Sequence, residues 1–326
     1  MKTYPRAPEW PYTGRRPMRP QGASAPSPIT VTNGNRTMPH IRSLALTGAA
    51  CLALAACATT PVSTAATGPA PDDRLNATLW MQQAVEYKAN ADAIYALAGK
   101  RLDEALGDKR WTAAPVEQQP GYETLPPAII LDADETVLDN SPYQAWMVKT
   151  GAGYSSDSWN AWAGSGDAGA IAGAVAFTNA AAQKGVKVFY VTNRSVEVED
   201  GTARNLAALG FPMGGNVDTL LTKGEQPDWT SVKGTRRAAV AEDYRILLLL
   251  GDNFGDFTDD YHGSPEERQQ VYEENAERWG REWLTLPNPA YGSWESSAFG
   301  GDYALSPEQQ RQRKIDALDA WSPESK

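Results

Sequence analysis

Three short runs of this chain are apolar on both faces and end in polar side chains. They lie at residues 129–131 (IIL), 186–194 (VKVFYVTNR) and 245–253 (RILLLLGDN). A strand apolar on both faces is covered on both, which is the habit of a parallel sheet between helices. Helical signals fall between the strands. Tyr87, Ala91, Ile94, Tyr95, Ala98, Leu102 and Leu106 repeat at helical spacing, so the pattern predicts a helix that starts at Leu75 and stops at Gly107. Further helices are expected at 168–185, 203–209 and 233–243, with a short strand at 219–222. Ser264-Pro265-Glu266-Glu267 and Ser306-Pro307-Glu308-Gln309 read as capping boxes with Pro at the first helical position. No internal repeat is seen. The alternation predicts an α/β fold, a Rossmann-like parallel sheet.

In an open α/β sheet, ligands bind beyond the carboxyl ends of the strands. Asp132/Asp134, Thr192-Asn193-Arg194 and Asp252 with Asp256 would meet on that edge. Asp132, Asp134, Glu135 and Asp139 fall within eight residues. Two carboxylates about 4 Å apart repel by roughly 4 kcal/mol at an effective dielectric near 20. A hard divalent cation, which takes oxygen ligands, would offset that repulsion, and Mg²⁺ also accepts a substrate phosphate. Thr192 and Lys233 are placed to donate to such a phosphate.

Other chemistries are excluded. Both cysteines, Cys51 and Cys57, lie in one N-terminal stretch, so the body holds no disulfide, thiolate nucleophile or Cys-zinc site. Only His40 and His262 are present, too few for a His metal cluster or a paired-His phosphatase, and no phosphate-loop motif GxxxxGK[ST] occurs. Residues 1–57 hold seven basic side chains and one acid, leaving 23 basic and 39 acidic beyond them, a net charge of −16. Such a body repels a polynucleotide. A small anionic substrate is compatible with a local reversal of sign by a metal or Lys/Arg.

The N-terminus reads as an address. Met38 opens a segment with Arg42 and then a thirteen-residue apolar run from Leu44 to Ala56, shorter than the roughly 20 residues that span a bilayer. Leu54-Ala55-Ala56-Cys57 resembles a bacterial lipobox, with Cys57 as the lipidated residue. The expected organisation is 1–37 disordered or upstream of a true start at Met38, a lipoprotein signal peptide at 38–57, a flexible tether at 58–73, and one catalytic domain at 74–322.

The motifs ILDADETVLDNSPYQ, VFYVTNR, VKGTRR and LLLLGDNFGDF, in that order, resemble the four motifs of the haloacid-dehalogenase-type phosphohydrolases. NPAYGSWE and the lipobox narrow the resemblance to the class C acid phosphatases, the lipoprotein e type of bacterial 5′-nucleotidase. The resemblance implies a haloacid-dehalogenase core with an added helical subdomain from the N- and C-terminal segments. It implies Mg²⁺-dependent hydrolysis of phosphomonoesters, nucleoside 5′-monophosphates among them, in a bacterial envelope lipoprotein anchored by lipid at the outer membrane. A homo-oligomer stays open. By the same resemblance Asp132 is the nucleophile and Asp134 the general acid, its pKa raised by neighbouring acids. Asp132, the Asp134 carbonyl and Asp252 bind the metal, and Asp256 orients a metal-bound water. Thr192 and Lys233 hold the phosphoryl oxygens, Lys233 being preferred to Lys223.

By the same resemblance a tail aromatic faces a loop aromatic across the entrance, and Trp159 and Tyr291 are assigned to the pair. Trp146 and Trp162 are assigned to packing, Glu135 and Asp139 to structure, and His262 to the surface. Arg194 stays open between a phosphate rim and a surface ion pair. Two other functions are weighed: phosphate transfer to an alcohol, and a non-enzymatic lipoprotein that binds a partner or haem. The intact acids and the single body histidine speak against the last.

Overall fold

The structure is a computed structural model that describes residues 72–322. The signal peptide, Cys57 and residues 58–71 of the tether lie outside the described residues. Helices α1 (Leu75–Gln83) and α2 (Val85–Gly107) come first. The expected single helix is broken at Ala84, whose ψ of 127° is extended. Strand β1 (Pro127–Leu131) leads through β2 (Leu138–Asp139) to α3 (Ser141–Thr150) and α4 (Ser156–Ser165). Next come β3 (Gly169–Ala170), α5 (Ala174–Gln183), β4 (Lys187–Ser195) and α6 (Glu199–Leu209). After β5 (Leu220–Lys223) follow α7 (Gly234–Asp243), β6 (Arg245–Gly251) and α8 (Pro265–Glu274). The series ends with β7 (Trp283–Thr285), α9 (Ser293–Ser297) and α10 (Pro307–Asp316).

The main sheet has five strands in the order β5-β4-β1-β6-β7, and every pairing is parallel. Three of the four sequence-predicted strands form its centre, and the short one expected at 219–222 is the edge strand β5. Their alternation sorts side chains onto two faces. Ile129, Leu131, Val188, Tyr190, Leu248 and Leu250 pack with Tyr95, Ala98 and Leu102 of α2 and Phe177 of α5. Ala128, Ile130, Phe189, Val191 and Leu249 pack on the other side with Val240 and Ala241 of α7. The N-terminal α2 thus supplies part of the layer that keeps one face dry.

One expected helix starts late. Residues 168–173 are not helical, because Gly169–Ala170 pairs antiparallel with Leu138–Asp139 and the Ile171 N–H donates to the Val137 carbonyl at 3.0 Å. Helix α5 then begins after Gly173. Its φ of +83° suits only glycine, and a Cβ there would lie 3.1 Å from the Tyr95 side chain. The capping boxes at Ser264 and Ser306 are both formed, and α8 and α10 follow them.

Candidate active site

All three central strands deliver side chains to the carboxyl edge of the sheet. The ladder continues one residue past β1, since the Asp132 N–H donates to the Leu250 carbonyl at 2.9 Å. Asp132 therefore leaves the sheet at a fixed height beside Asp252, which follows β6. Asp256 sits in a short turn capped by Asn253, whose N–H donates to Asp256 Oδ2 at 2.9 Å. This carboxylate occupies the space that a Cβ on Gly251 would need, so β6 must end in glycine.

Lys233 caps α7 and is buried. Its Nζ donates to Asp132 Oδ1 and, at 2.7 Å, to Asp256 Oδ1. One oxygen each of Asp132, Asp252 and Asp256 lie within 4.8 Å of one another. Asp252 accepts only from neutral donors: the Asn288 amide at 2.8 Å and the Thr136 hydroxyl at 3.3 Å. Burial pushes the Asp132 carboxyl up to about 7, with Asp256 and Asp134 acting the same way against Lys233. Loss of water, then Asp256, Asp132 and Glu135, push Asp252 well above the carboxylate range. Burial opposes the charge on Lys233, but Asp132 and Asp256 outweigh it and its pKa is raised. Lys233 bonds two of the three carboxylates, and burial, reinforced by the neighbouring acids, raises Asp132 and Asp252.

Asp134 accepts from several donors. Its Oδ1 accepts from Arg194 Nε and from Asn140 Nδ2, each at 2.9 Å, while Oδ2 has only the Thr192 hydroxyl at 3.4 Å. Arg194 is neither a phosphate rim nor a surface pair: it is 1% exposed and its ion pair with Asp134 is internal.

Glu135, assigned to structure, holds the acid loop from within. It is wholly buried, and at φ +55° it is the one non-glycine residue with positive φ among the described residues. The Asn140 N–H donates to its Oε1 at 2.8 Å, and the Tyr291 hydroxyl donates to its Oε2. Burial, then Asp134, raise its pKa to about 8. Tyr291 therefore points its polar end at the acid loop. Trp159 meets Tyr143 edge-on at 5.2 Å, with the Arg194 guanidinium 5.6 Å from its ring centre. Among the described residues no ring pairing joins Trp159 to Tyr291. Trp162 does more than pack, since its Nε1 donates to Asn140 Oδ1 at 2.8 Å. Trp146 is 43% exposed and stacks on Tyr143, so it is not core. His262 is exposed, as expected.

The sequence matches the HAD superfamily, subfamily IIIB (acid phosphatase), over residues 38–294. The fold matches a class C acid phosphatase from Bacillus anthracis at 33% identity and a TM-score of 0.67, covering 76% of this chain and 98% of that one. A second structure of the Bacillus anthracis class C enzyme, with tungstate bound, matches with the same identity, TM-score and coverage. The chain belongs to the HAD subfamily IIIB acid phosphatases.

A subfamily IIIB acid phosphatase is a phosphomonoesterase, and HAD enzymes use a divalent metal. The donor set here fits one: three carboxylates, all oxygen, held close together and short of compensating charge. Asp256 offers an oxygen within 4.8 Å of both other acids. Sequence reasoning missed Asn140 and Asn288 and left the partner of Arg194 open. A signal for Arg194 was present. Strand side chains alternate, so Thr192 and Arg194 share one side of β4 while Asn193 takes the other. Asn193 indeed turns to Ser231 and Arg236.

Proposed function

We propose that this phosphatase hydrolyses nucleoside 5′-monophosphates through an aspartyl-phosphate on Asp132, with Mg²⁺, as a lipoprotein anchored through Cys57 at the outer membrane of a bacterial envelope. The observation that carries the catalytic reading is the placement of Asp132 at the tip of β1, touching Lys233 and grouped with Asp252 and Asp256. The tungstate held by the Bacillus anthracis enzyme supports it, because tungstate is a tetrahedral oxyanion like phosphate.

In this reading the Thr192 hydroxyl and Lys233 donate to the phosphoryl oxygens. An Asp132 carboxylate oxygen attacks phosphorus, and the leaving alkoxide takes a proton from Asp134. Asp134 then accepts a proton from the water that attacks the aspartyl-phosphate, which frees phosphate and restores Asp132. Asp132, Asp252 and Asp256, with the Asp134 carbonyl, would hold the cation, with Asp256 placed to orient its water. When bound, the cation neutralises charge gathering on the phosphoryl oxygens. Trp159 and Tyr291 would flank the base of the leaving nucleoside.

The anchor rests on the lipobox alone. Among the described residues no helix is long and apolar enough to cross a membrane. Hydrolysis of a phosphomonoester panel with Mg²⁺ or with EDTA tests the catalytic reading. Turnover should need the cation and favour nucleoside monophosphates over glycerol phosphate. Equal rates in EDTA, or no preference, would contradict it.

A further inference from the structure

We propose that Arg194 and Asn140 are positioning residues that lock Asp134 by its Oδ1, leaving Oδ2 as the atom that carries the proton. The inference rests on the reading of Asp134 as the acid of the first step.

A guanidinium has five N–H donors in a fixed fork. Arg194 turns its whole fork into the protein, its side chain fully buried. Nε donates to Asp134 Oδ1 at 2.9 Å. Nη2 lies 2.9 Å from the same oxygen and donates to Asn140 Oδ1 at 3.0 Å. Nη1 donates to the Thr202 hydroxyl at 3.2 Å and the Ala163 carbonyl at 3.4 Å. None is left for a phosphate. Thr202 and Ala163 lie on α6 and α4, so two helices fix the fork before it meets the carboxylate.

Asn140 is equally committed. Its Nδ2 donates to Asp134 Oδ1 at 2.9 Å and to Glu135 Oε2 at 3.3 Å. Its Oδ1 accepts from Arg194 and from Trp162 Nε1. The amide cannot turn over without losing four contacts. Asp134 Oδ1 therefore accepts two hydrogen bonds, one for each lone pair, with Arg194 Nη2 also 2.9 Å away, and has no room for a proton. Oδ2 has only the long contact to Thr192 at 3.4 Å.

The proton follows from that asymmetry. In the first step the Oδ2–H bond breaks as the ester P–O bond breaks, and the departing oxygen keeps its electron pair and takes the proton. In the second step Oδ2 takes a proton from water as that oxygen bonds to phosphorus and the bond to Asp132 breaks. A carboxylate free to rotate would offer the wrong oxygen, or none, at 3 Å from the leaving group.

The test uses leaving groups that differ in their need for a proton. A p-nitrophenolate leaves unaided, whereas an alkoxide does not. The parameter kcat/KM reports only steps up to departure of the leaving group, so the second step does not mask the effect. Asp134→Asn sets the benchmark. Arg194→Lys and Asn140→Ala should each lower kcat/KM roughly 10²-fold on an alkyl phosphate, the scale of general-acid catalysis, and less than about tenfold on p-nitrophenyl phosphate. A merely structural role lowers both alike. Either change made in Asp134→Asn should add no further selective loss, since nothing remains to be positioned. If Arg194→Lys does not fold, judged by its thermal midpoint, Asn140→Ala decides. Equal losses on both substrates in the positioning variants, beside a selective loss in Asp134→Asn, would overturn the proposal and leave the acid reading standing. Equal losses in Asp134→Asn itself would overturn both.

Discussion

At the scale of single residues, charge pairing separates acids that look alike in sequence. Asp256 is ion-paired with Lys233, while Asp252 accepts only from amide and hydroxyl groups. An unpaired carboxylate gives more to a cation than one already sharing an ammonium. Asp252→Ala should therefore raise the Mg²⁺ concentration for half-maximal activity further than Asp256→Ala does. Equal midpoints in a Mg²⁺ titration would show that the pairing is irrelevant to binding. In the proposed reading the leaving nucleoside stacks on Trp159, whose ring rests near Arg194. Base stacking is worth roughly 1–3 kcal/mol, so Trp159→Ala should erase an approximately five- to 150-fold preference for nucleoside monophosphates over glycerol phosphate. If kcat/KM falls equally for both, Trp159 serves packing instead. The motif acids were legible because strand-end carboxylates are few and ordered. The partners of Arg194, Asn140 and Glu135 were not, because a donor's partner is set by which way a loop turns. That turn depends on Glu135 adopting φ +55°, which no residue pattern announces.

At the scale of elements, legibility followed burial. The strands centred on residues 129–131, 186–194 and 245–253 were readable because both their faces are dry. Strand β7 has three residues and lies at the edge of the sheet, so its pattern carried too little signal. The helix expected from residue 168 failed for a different reason. Composition favoured it, but Gly169–Ala170 finds a partner in β2, and Gly173 needs positive φ against Tyr95. Gly173→Ala should destabilise the fold by roughly 1–2 kcal/mol from the left-handed backbone alone, with more from contact with Tyr95. Urea unfolding measures it, and an unchanged midpoint would mean that α5 can start elsewhere. The tail at residues 288–293 acts as a strap over the acid loops. Asn288 holds Asp252, Tyr291 holds Glu135, and the Ser293 hydroxyl donates to Asn253 Oδ1 at 2.5 Å.

At the scale of the whole molecule, a sheet edge gathers negative charge that only a cation relieves. In the metal-free protein Asp132 titrates near 7 and Glu135 near 8, against 3.8 and 4.5 for the free groups. Between those values the folded chain holds protons that the unfolded chain has released, so stability falls as pH rises. In EDTA the thermal midpoint should fall between about pH 5 and pH 8. Mg²⁺ should flatten the fall by taking over the shares of Asp132 and Asp252, while that of Glu135 remains. A midpoint that rises with pH in EDTA would contradict this. The anchor is a separate matter, and Cys57→Ser should move the protein from the membrane pellet to the supernatant. Everything else converges on one oxygen: the ladder that extends to Asp132, the ammonium of Lys233 and the acids beside it. The most direct test is therefore kcat/KM for Asp132→Asn against the unaltered protein, with thermal midpoints compared. We predict a loss of at least about 10³-fold with the fold retained, since an amide cannot form the covalent intermediate. Activity above about a tenth of the unaltered rate in a folded variant would contradict the account.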